Sequence, residues 1–178
     1  WVRSLDSQLS KPLAGTGGAV HAFWSPDSRA LGFFASGKLK ILELSTEEVS
    51  NVSEGGMSGG SWSRQGTFLF IPELSKGLYQ VAVSGGTPVP IFKPDFSKFI
   101  HFVNPKFLPD GKHFLYSAYA SVPEIGGLYV ASLDGTENRL LLKNIGSATY
   151  ASGFLLYVRG TTLVAQAFDL ERRQLTGD

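Results

Sequence analysis

The chain has 178 residues, 16 basic and 15 acidic side chains that leave a net charge of +1, and no cysteine. Such balanced charge gives no attraction to nucleic acid or to an anionic membrane, so neither is expected as a partner. The lack of cysteine excludes disulfides and thiolate metal sites. With 21 glycines and 9 prolines in a 43% hydrophobic chain, the composition favours short strands joined by tight turns.

A hairpin-like unit recurs along the chain. It is clearest at residues 106–116, where apolar runs flank the turn Pro109-Asp110-Gly111. Asp and Gly tolerate the backbone of a tight turn, so this pattern predicts a β-hairpin and a structural turn role for Asp110 and Gly111. Similar units occupy residues 23–33, where Asp27 is the equivalent turn residue, and in weaker form residues 61–70 and 149–157.

The spacing of these units predicts the architecture. An aromatic residue precedes each turn, at Trp24, Trp62, Phe107 and Tyr150, in steps of 38, 45 and 43 residues. A third and a fourth short strand pattern follow most hairpins, and four strands per unit of this length are typical of a β-propeller. We therefore predict an all-β fold, a β-propeller fragment of about four blades, each a four-stranded antiparallel sheet. The predicted single, partial domain spans 1–178, with blades at about 19–53, 57–92, 101–143 and 147–178, and with 1–14 as the outer strands of a preceding blade.

The turn units and the third strands carry a family resemblance. The sequences Ser25-Pro26-Asp27 and Pro109-Asp110-Gly111-Lys112, with strands such as Leu128-Tyr129-Val130, resemble the signature of TolB-type, WD-repeat-like propellers. Residues 1–6, 23–40 and 168–177 also resemble the C-terminal sensor propellers of bacterial, often acidobacterial, serine/threonine protein kinases. The resemblance implies a protein-interaction or sensor module in an extracytoplasmic, membrane-anchored protein. The alternatives are a propeller that gates a prolyl-oligopeptidase-type hydrolase and a TolB-like periplasmic scaffold.

No catalytic residue, metal site or cofactor is expected in this chain. Residues 56–60 match G-x-S-x-G around Ser58, but a strand pattern follows where a nucleophile elbow needs a helix. His21, His101 and His113 have no ligand-type spacing to one another or to acidic residues. No kinase motif is present. If the parent protein is a kinase, its catalytic domain lies outside this chain.

Two segments are longer than the blades require. The connection 92–102 is rich in Phe and Lys, and a second insertion, 119–126, lies between two strands of the following blade. Antiparallel topology places both at one end of the sheets, so we expect them side by side on one binding face for a protein, peptide or small ligand. The candidate binding residues are Lys93, Asp95, Phe96, Lys98, Phe99, His101, Tyr119 and Glu124. The alternative is that Phe96, Phe99 and Phe102 fold back as local core.

Two blades look incomplete from the sequence. Residues 1–13 supply only the outer strands of one, and the last blade shows three strand patterns up to Phe168 without a convincing fourth. An open arc would expose apolar blade faces and strand edges, which favour association. In one solution the segment 11–13 pairs beside the strand ending at Phe168 and closes the ring within one chain. In the other, which we favour, two chains form a homodimer that completes a larger propeller.

Overall fold

A computed structural model describes residues 1–56 and 58–177 of the chain. These residues form eighteen β-strands and one short 3-10 helix, η1 (Pro123–Ile125). The strands are β1 (Val2–Arg3), β2 (Ser10–Lys11), β3 (Val20–Trp24), β4 (Ala30–Ala35), β5 (Lys38–Glu43), β6 (Val49–Glu54), β7 (Gly60–Trp62), β8 (Thr67–Phe70), β9 (Tyr79–Ala82), β10 (Val89–Pro90), β11 (Phe99–Phe107), β12 (His113–Ala120), β13 (Gly127–Ser132), β14 (Asn138–Lys143), β15 (Ala148–Ala151), β16 (Phe154–Arg159), β17 (Thr162–Asp169) and β18 (Gln174–Leu175).

Four sheets contain four strands each, and in every one the strands follow the order of the chain. We call them blade 1 (β3–β6), blade 2 (β7–β10), blade 3 (β11–β14) and blade 4 (β15–β18); β1 and β2 form a separate two-stranded sheet. All neighbouring strands are antiparallel. The predicted all-β architecture of four-stranded antiparallel sheets is confirmed.

The turn between the first two strands of each blade requires a left-handed backbone. The residues with positive φ are Ser28 (60°), Gly66 (77°), Gly111 (65°) and Gly153 (87°). In blade 1 the Asp27 carboxylate accepts a hydrogen bond from the backbone N–H of Arg29 at 3.1 Å, and the Ser25 hydroxyl accepts one from that of Ala30 at 2.9 Å. Short polar side chains thus satisfy the turn backbone, as Asp and Ser do in tight turns.

The hydrophobic core lies between blades. Alternate side chains of β12 point to opposite faces, so Phe114 and Tyr116 join a buried cluster shared with blade 2. Leu115, between them in sequence, joins a cluster shared with blade 4. A third cluster connects blades 1 and 2. This packing on both faces explains why many strands read as continuous apolar runs rather than alternating ones.

The structure departs from the sequence analysis at both ends of the chain: it excludes the closure through residues 11–13, which was the alternative to the favoured dimer, and it completes the last blade. Lys11 pairs with Val2 in the two-stranded sheet, and Leu13 packs against blade 1, so the segment 11–13 does not pair beside Phe168. Instead, Phe168 pairs with Leu175 of β18, which gives blade 4 the fourth strand that the sequence pattern did not reveal. A strand of two residues is too short to show a periodic pattern. The predicted blade boundaries at 57 and 178 fall outside the described residues.

Candidate functional site

The two insertions meet beside the open end of the β11–β12 hairpin. The backbone N–H of Ser121 donates to the carbonyl of Lys98 at 2.9 Å, and the Ser121 hydroxyl donates to the same carbonyl at 3.0 Å. Phe99 pairs with Ala120 and His101 with Tyr119 across the two strands. We call residues 93–101 and 119–125 the loop face. The connection is shorter than the sequence suggested, because Phe99, His101 and Tyr119 belong to strands.

Part of the aromatic content of the loop face is core. Phe102 is 1% exposed, and the half-buried Phe99 packs on it with ring centroids 5.5 Å apart. Phe96 lies edge-on to Phe102 at 6.0 Å but remains 42% exposed. The fold-back alternative therefore describes Phe99 and Phe102 better than Phe96.

Four apolar side chains of the loop face stay exposed. They are Phe96, Ile100 (58% exposed), Tyr119 (44%) and Val122 (45%). The Tyr119 ring stacks on His101 with centroids 4.6 Å apart and planes 20° from parallel. Stacking holds the Tyr119 ring in place, so this part of the surface is rigid as well as apolar.

The loop face also carries the charged candidates. Lys93, Asp95, Lys98 and Glu124 are all exposed. The Ser97 hydroxyl and the Lys98 ammonium hold the pKa of the Asp95 carboxyl below its usual value, with the ammonium 3.2 Å from the carboxylate. Asp95 and Lys98 thus form an ion pair at the edge of the loop face.

The opposite end of the sheets, which we call the turn face, carries Asp27, Asp110 and Gly111. Burial of the Asp110 carboxyl opposes its ionisation, yet hydrogen bonds from His113 and Lys112 hold its pKa below the usual value. The backbone N–H groups of Lys112 and His113 donate to Asp110 Oδ1 at 3.0 and 2.9 Å. Asp27 and Asp110 are both engaged with the backbone of their own turns.

A groove on the turn face was missed by the sequence analysis. A cavity of about 450 Å³ is lined by Trp62 and Arg64 together with Pro26 and Asp27 of the neighbouring blade. A second cavity of about 260 Å³ extends it toward Phe107, Pro109 and Tyr150. The sequence signal for this groove is the aromatic residue before each turn, which the spacing of the repeat alone does not mark as part of a groove.

A charged cluster ties blade 3 to blade 4 on the turn face. His113 Nδ1 lies 2.5 Å from Asp110 and its Nε2 lies 3.6 Å from Glu137. Glu137 also pairs with Arg139 at 2.9 Å and with Arg173 of blade 4 at 2.5 Å. The two ring nitrogens of His113 point away from each other, so these groups do not converge on one point. Within 1–56 and 58–177, no three His, Asp or Glu side chains form a metal-binding group.

Ser58 does not lie in a nucleophile elbow. It is 8% exposed and is followed by strand β7, where an elbow needs a helix. Among the described residues, the histidine ring that forms a side-chain hydrogen bond is that of His113, and its partner is Asp110. In this part of the chain no histidine bonds to the Ser58 hydroxyl. Met57, the neighbouring motif residue, lies outside the described part of the chain.

Comparisons with known proteins identify the fold. No family model and no curated protein sequence matches the chain. Solved structures do match, among them TolB from Acinetobacter baumannii, with 16% identity and a TM-score of 0.68 over 88% of this chain. The chain has a β-propeller fold.

Other structures with this fold have different activities. Oligogalacturonate lyase from Vibrio parahaemolyticus matches with 14% identity and a TM-score of 0.67 over 89% of this chain. An auxiliary nutrient binding protein from Bacteroides thetaiotaomicron matches with 13% identity and a TM-score of 0.65 over 90% of this chain. Because one is named as a lyase and another as a binding protein, the fold does not decide between catalysis and binding.

The chain spans 42% of the TolB structure, 53% of the lyase and 40% of the nutrient binding protein. It therefore corresponds to about half of each of these propellers. In the described residues, no helix has the length and apolar character needed to cross a membrane.

Proposed function

We propose that this chain is a non-catalytic binding module that docks a protein partner on its loop face. The observation that carries the proposal is the exposure of four apolar side chains, Phe96, Ile100, Tyr119 and Val122, on two segments that the hydrogen bonds from Ser121 to Lys98 hold together. Exposed apolar side chains fixed on a rigid scaffold are typical of interaction sites. Lys93, Asp95, Lys98, His101 and Glu124 supply polar contacts at the rim, where interfaces are usually polar.

Site-specific photo-crosslinking tests the docking surface. A photoreactive phenylalanine analogue at Ile100 or Val122 is expected to give one discrete adduct with a protein of the parent organism. Tyr119→Ser should abolish that adduct, because it removes the exposed ring that stacks on His101. The matched control is the same probe at Val89, which is 53% exposed but lies on the outer strand of blade 2. An equal adduct from Val89, or an adduct confined to turn-face positions near Asp27 and Asp110, would contradict the proposal.

The absence of catalysis is a separate part of the proposal. Its support is the strand that follows Ser58 and the lack, among the described residues, of a hydrogen bond between Ser58 and a histidine, since the histidine that is paired is His113, with Asp110. The purified chain is expected to show no esterase or peptidase activity. Activity that Ser58→Ala removes would show that the binding-module proposal is wrong.

We also propose that the parent protein is a bacterial serine/threonine kinase and that this module is its extracytoplasmic sensor. The support is the sequence resemblance at residues 1–6, 23–40 and 168–177. The sequence of the gene that encodes the parent protein tests the kinase proposal directly. A kinase domain and a membrane-spanning helix are expected upstream, whereas a downstream hydrolase domain would favour the prolyl-oligopeptidase type, and a propeller without either would favour a TolB-like scaffold.

A further inference from the structure

The groove on the turn face crosses the inner ends of all four blades. Its two cavities, of about 450 and 260 Å³, share Pro26, Trp62 and Arg64 in their linings, so they form one continuous groove. The groove begins beside Val83 in blade 2 and reaches Tyr150 in blade 4. A groove that runs across several blades suits an extended chain better than a compact molecule.

The core beneath the groove holds its aromatic walls in place. The half-buried Trp62 ring packs on the buried Phe68 with centroids 4.5 Å apart. At the other end, the Tyr150 ring lies edge-on to the buried Phe168 at 6.0 Å. The walls are therefore formed before any ligand binds, as is usual for ligand sites.

Positive charge along the groove is not neutralised by the described residues. The exposed Arg64 guanidinium lines both cavities, and within 1–56 and 58–177 it forms no ion pair; nor do the exposed Arg29 and Lys112, which follow the flanking turns directly. In this part of the chain Asp27 is the carboxylate in the lining. Its Oδ1 already accepts from the Ser25 hydroxyl at 2.7 Å and from the Arg29 backbone N–H at 3.1 Å. The unpaired cations favour an acidic ligand.

We infer that this groove binds an extended peptide segment in which a glutamate or aspartate adjoins proline or other apolar residues. The planar guanidinium of Arg64 can donate two parallel hydrogen bonds to the side-chain carboxylate of the peptide. Aromatic-lined grooves bind proline-rich segments, and the rings of Trp62 and Tyr150 offer such walls. The inference goes beyond the proposed function, because the turn face and the loop face are at opposite ends of the sheets.

A peptide array tests this specificity. The probes are acetylated, amidated pentapeptides with a central glutamate, in which the other positions vary over proline, leucine, valine, phenylalanine and tyrosine. Each peptide is also printed with glutamine and with lysine in place of the glutamate. The labelled protein is expected to bind a set of glutamate peptides. It should bind their glutamine and lysine counterparts at least about tenfold more weakly, because a charge-assisted hydrogen bond is lost.

Nuclear magnetic resonance titration with the tightest peptide locates the site. The peptide should shift the indole N–H resonance of Trp62 saturably. It should leave unchanged that of Trp1, which is 82% exposed and lies outside the four blades.

Variants of Arg64 test the contact with the peptide carboxylate. Arg64→Gln should weaken peptide binding at least about tenfold, and Arg64→Lys should weaken it less, because lysine keeps the charge without the planar fork. The matched control is Arg159→Gln, at an exposed arginine near the opposite end of blade 4, and it should leave the affinity unchanged. All three variants should keep the Tm within about 2 °C, which separates a loss of binding from a loss of the fold.

Three results would overturn the inference. The first is an array on which no glutamate peptide binds more strongly than its glutamine counterpart. The second is an affinity that Arg64→Gln leaves unchanged. The third is equal competition by acetylglutamate amide or by inorganic phosphate, which would show a site for any small anion. Photo-crosslinking from Ile100 and Val122 reports on the loop face, so failure of the peptide site is distinguishable from failure of the proposed function.

Discussion

At the residue scale, the hairpin turns depend on single backbone conformations. Gly111 has φ +65°, and an added Cβ would lie 1.7 Å from Gln65 Oε1. The Gln65 amide donates to the Asp110 carbonyl at 3.1 Å, so a side chain at Gly111 would both strain the turn and displace a contact between blades 2 and 3. Gly153 has the same handedness, with φ +87° and open space around it.

We predict that Gly111→Ala destabilises the protein more than Gly153→Ala does. The left-handed strain shared by both variants costs about 1–2 kcal/mol, and Gly111→Ala should lose about 1 kcal/mol more with the Gln65 hydrogen bond. Urea unfolding of the two variants measures the difference. Equal destabilisation would mean that the Gln65 contact contributes nothing.

The carboxyl of Asp134 provides a pH-dependent prediction. Hydrogen bonds from the Ser132 hydroxyl and from Thr136 lower its pKa from 3.8 to about 2. Because the pKa is lower in the folded state, the stabilisation is complete above pH 3.8 and is lost as the pH falls toward 2. Asp134→Asn should therefore be less stable than the unsubstituted chain at pH 7, and the difference between their unfolding free energies should disappear between pH 4 and pH 2. Urea unfolding curves of both proteins over this pH range measure the difference, and a difference that stays constant with pH would contradict the prediction.

At the element scale, Glu137 joins the turn after β13 to blade 4. Its side chain is 18% exposed and contacts His113, Arg139 and Arg173. A carboxylate with three cationic or hydrogen-bonding neighbours contributes more than an isolated surface pair. The ion pair of Lys38 with Glu54, whose side chains are 39% and 79% exposed, represents the isolated case.

We expect Glu137→Ala to cost about 1–2 kcal/mol of unfolding free energy, because it leaves two arginines without their partner. Glu54→Ala should stay within about 0.5 kcal/mol of the parent. Urea denaturation at low salt and at 1 M salt measures both, and the Glu137 effect should shrink with salt. Similar losses in the two variants would contradict a special role of the Glu137 cluster.

The sequence predicted elements where local chemistry determines them. Short-range patterns predict the hairpins, as at the turn Pro109-Asp110-Gly111. The repeat of these hairpins, marked by Trp24, Trp62, Phe107 and Tyr150, predicts the four-stranded sheets. The strand β18 was missed because two residues carry no period. The groove on the turn face was missed as well, since its walls at Pro26 and Trp62 belong to neighbouring blades and come together only in the folded chain.

At the scale of the whole molecule, one apolar face of blade 4 packs against no other blade in the described part of the chain. Its cross-strand pairs on that face are Phe154 with Ala167, Leu156 with Ala165 and Val158 with Leu163. Phe154, Val158 and Leu163 are 44%, 57% and 71% exposed. In a propeller such a face packs against another blade. We propose that, when this chain is purified by itself, a second copy of it covers the face.

The isolated chain is accordingly expected to form a homodimer at micromolar concentration. Leu163→Asp should shift it toward the 19.2 kDa monomer, because a carboxylate would be buried in the contact without a partner. Leu74→Asp is the control, at a 48% exposed leucine outside blade 4. Light scattering coupled to size exclusion gives the mass of each protein, and an unsubstituted chain that is monomeric would rule out the dimer.

The placement of the core between blades has a consequence for how the chain opens. Each blade relies on its neighbours for burial, so loss of an outer unit exposes the next one, as in a nearest-neighbour array. All six residues of β13 are buried, whereas both residues of β2 are exposed. Backbone amides of β13 should therefore exchange with deuterium only through global unfolding, and those of β2 through local fraying. Unfolding would then proceed inward from the two-stranded sheet, with blade 3 as the last cooperative unit to open.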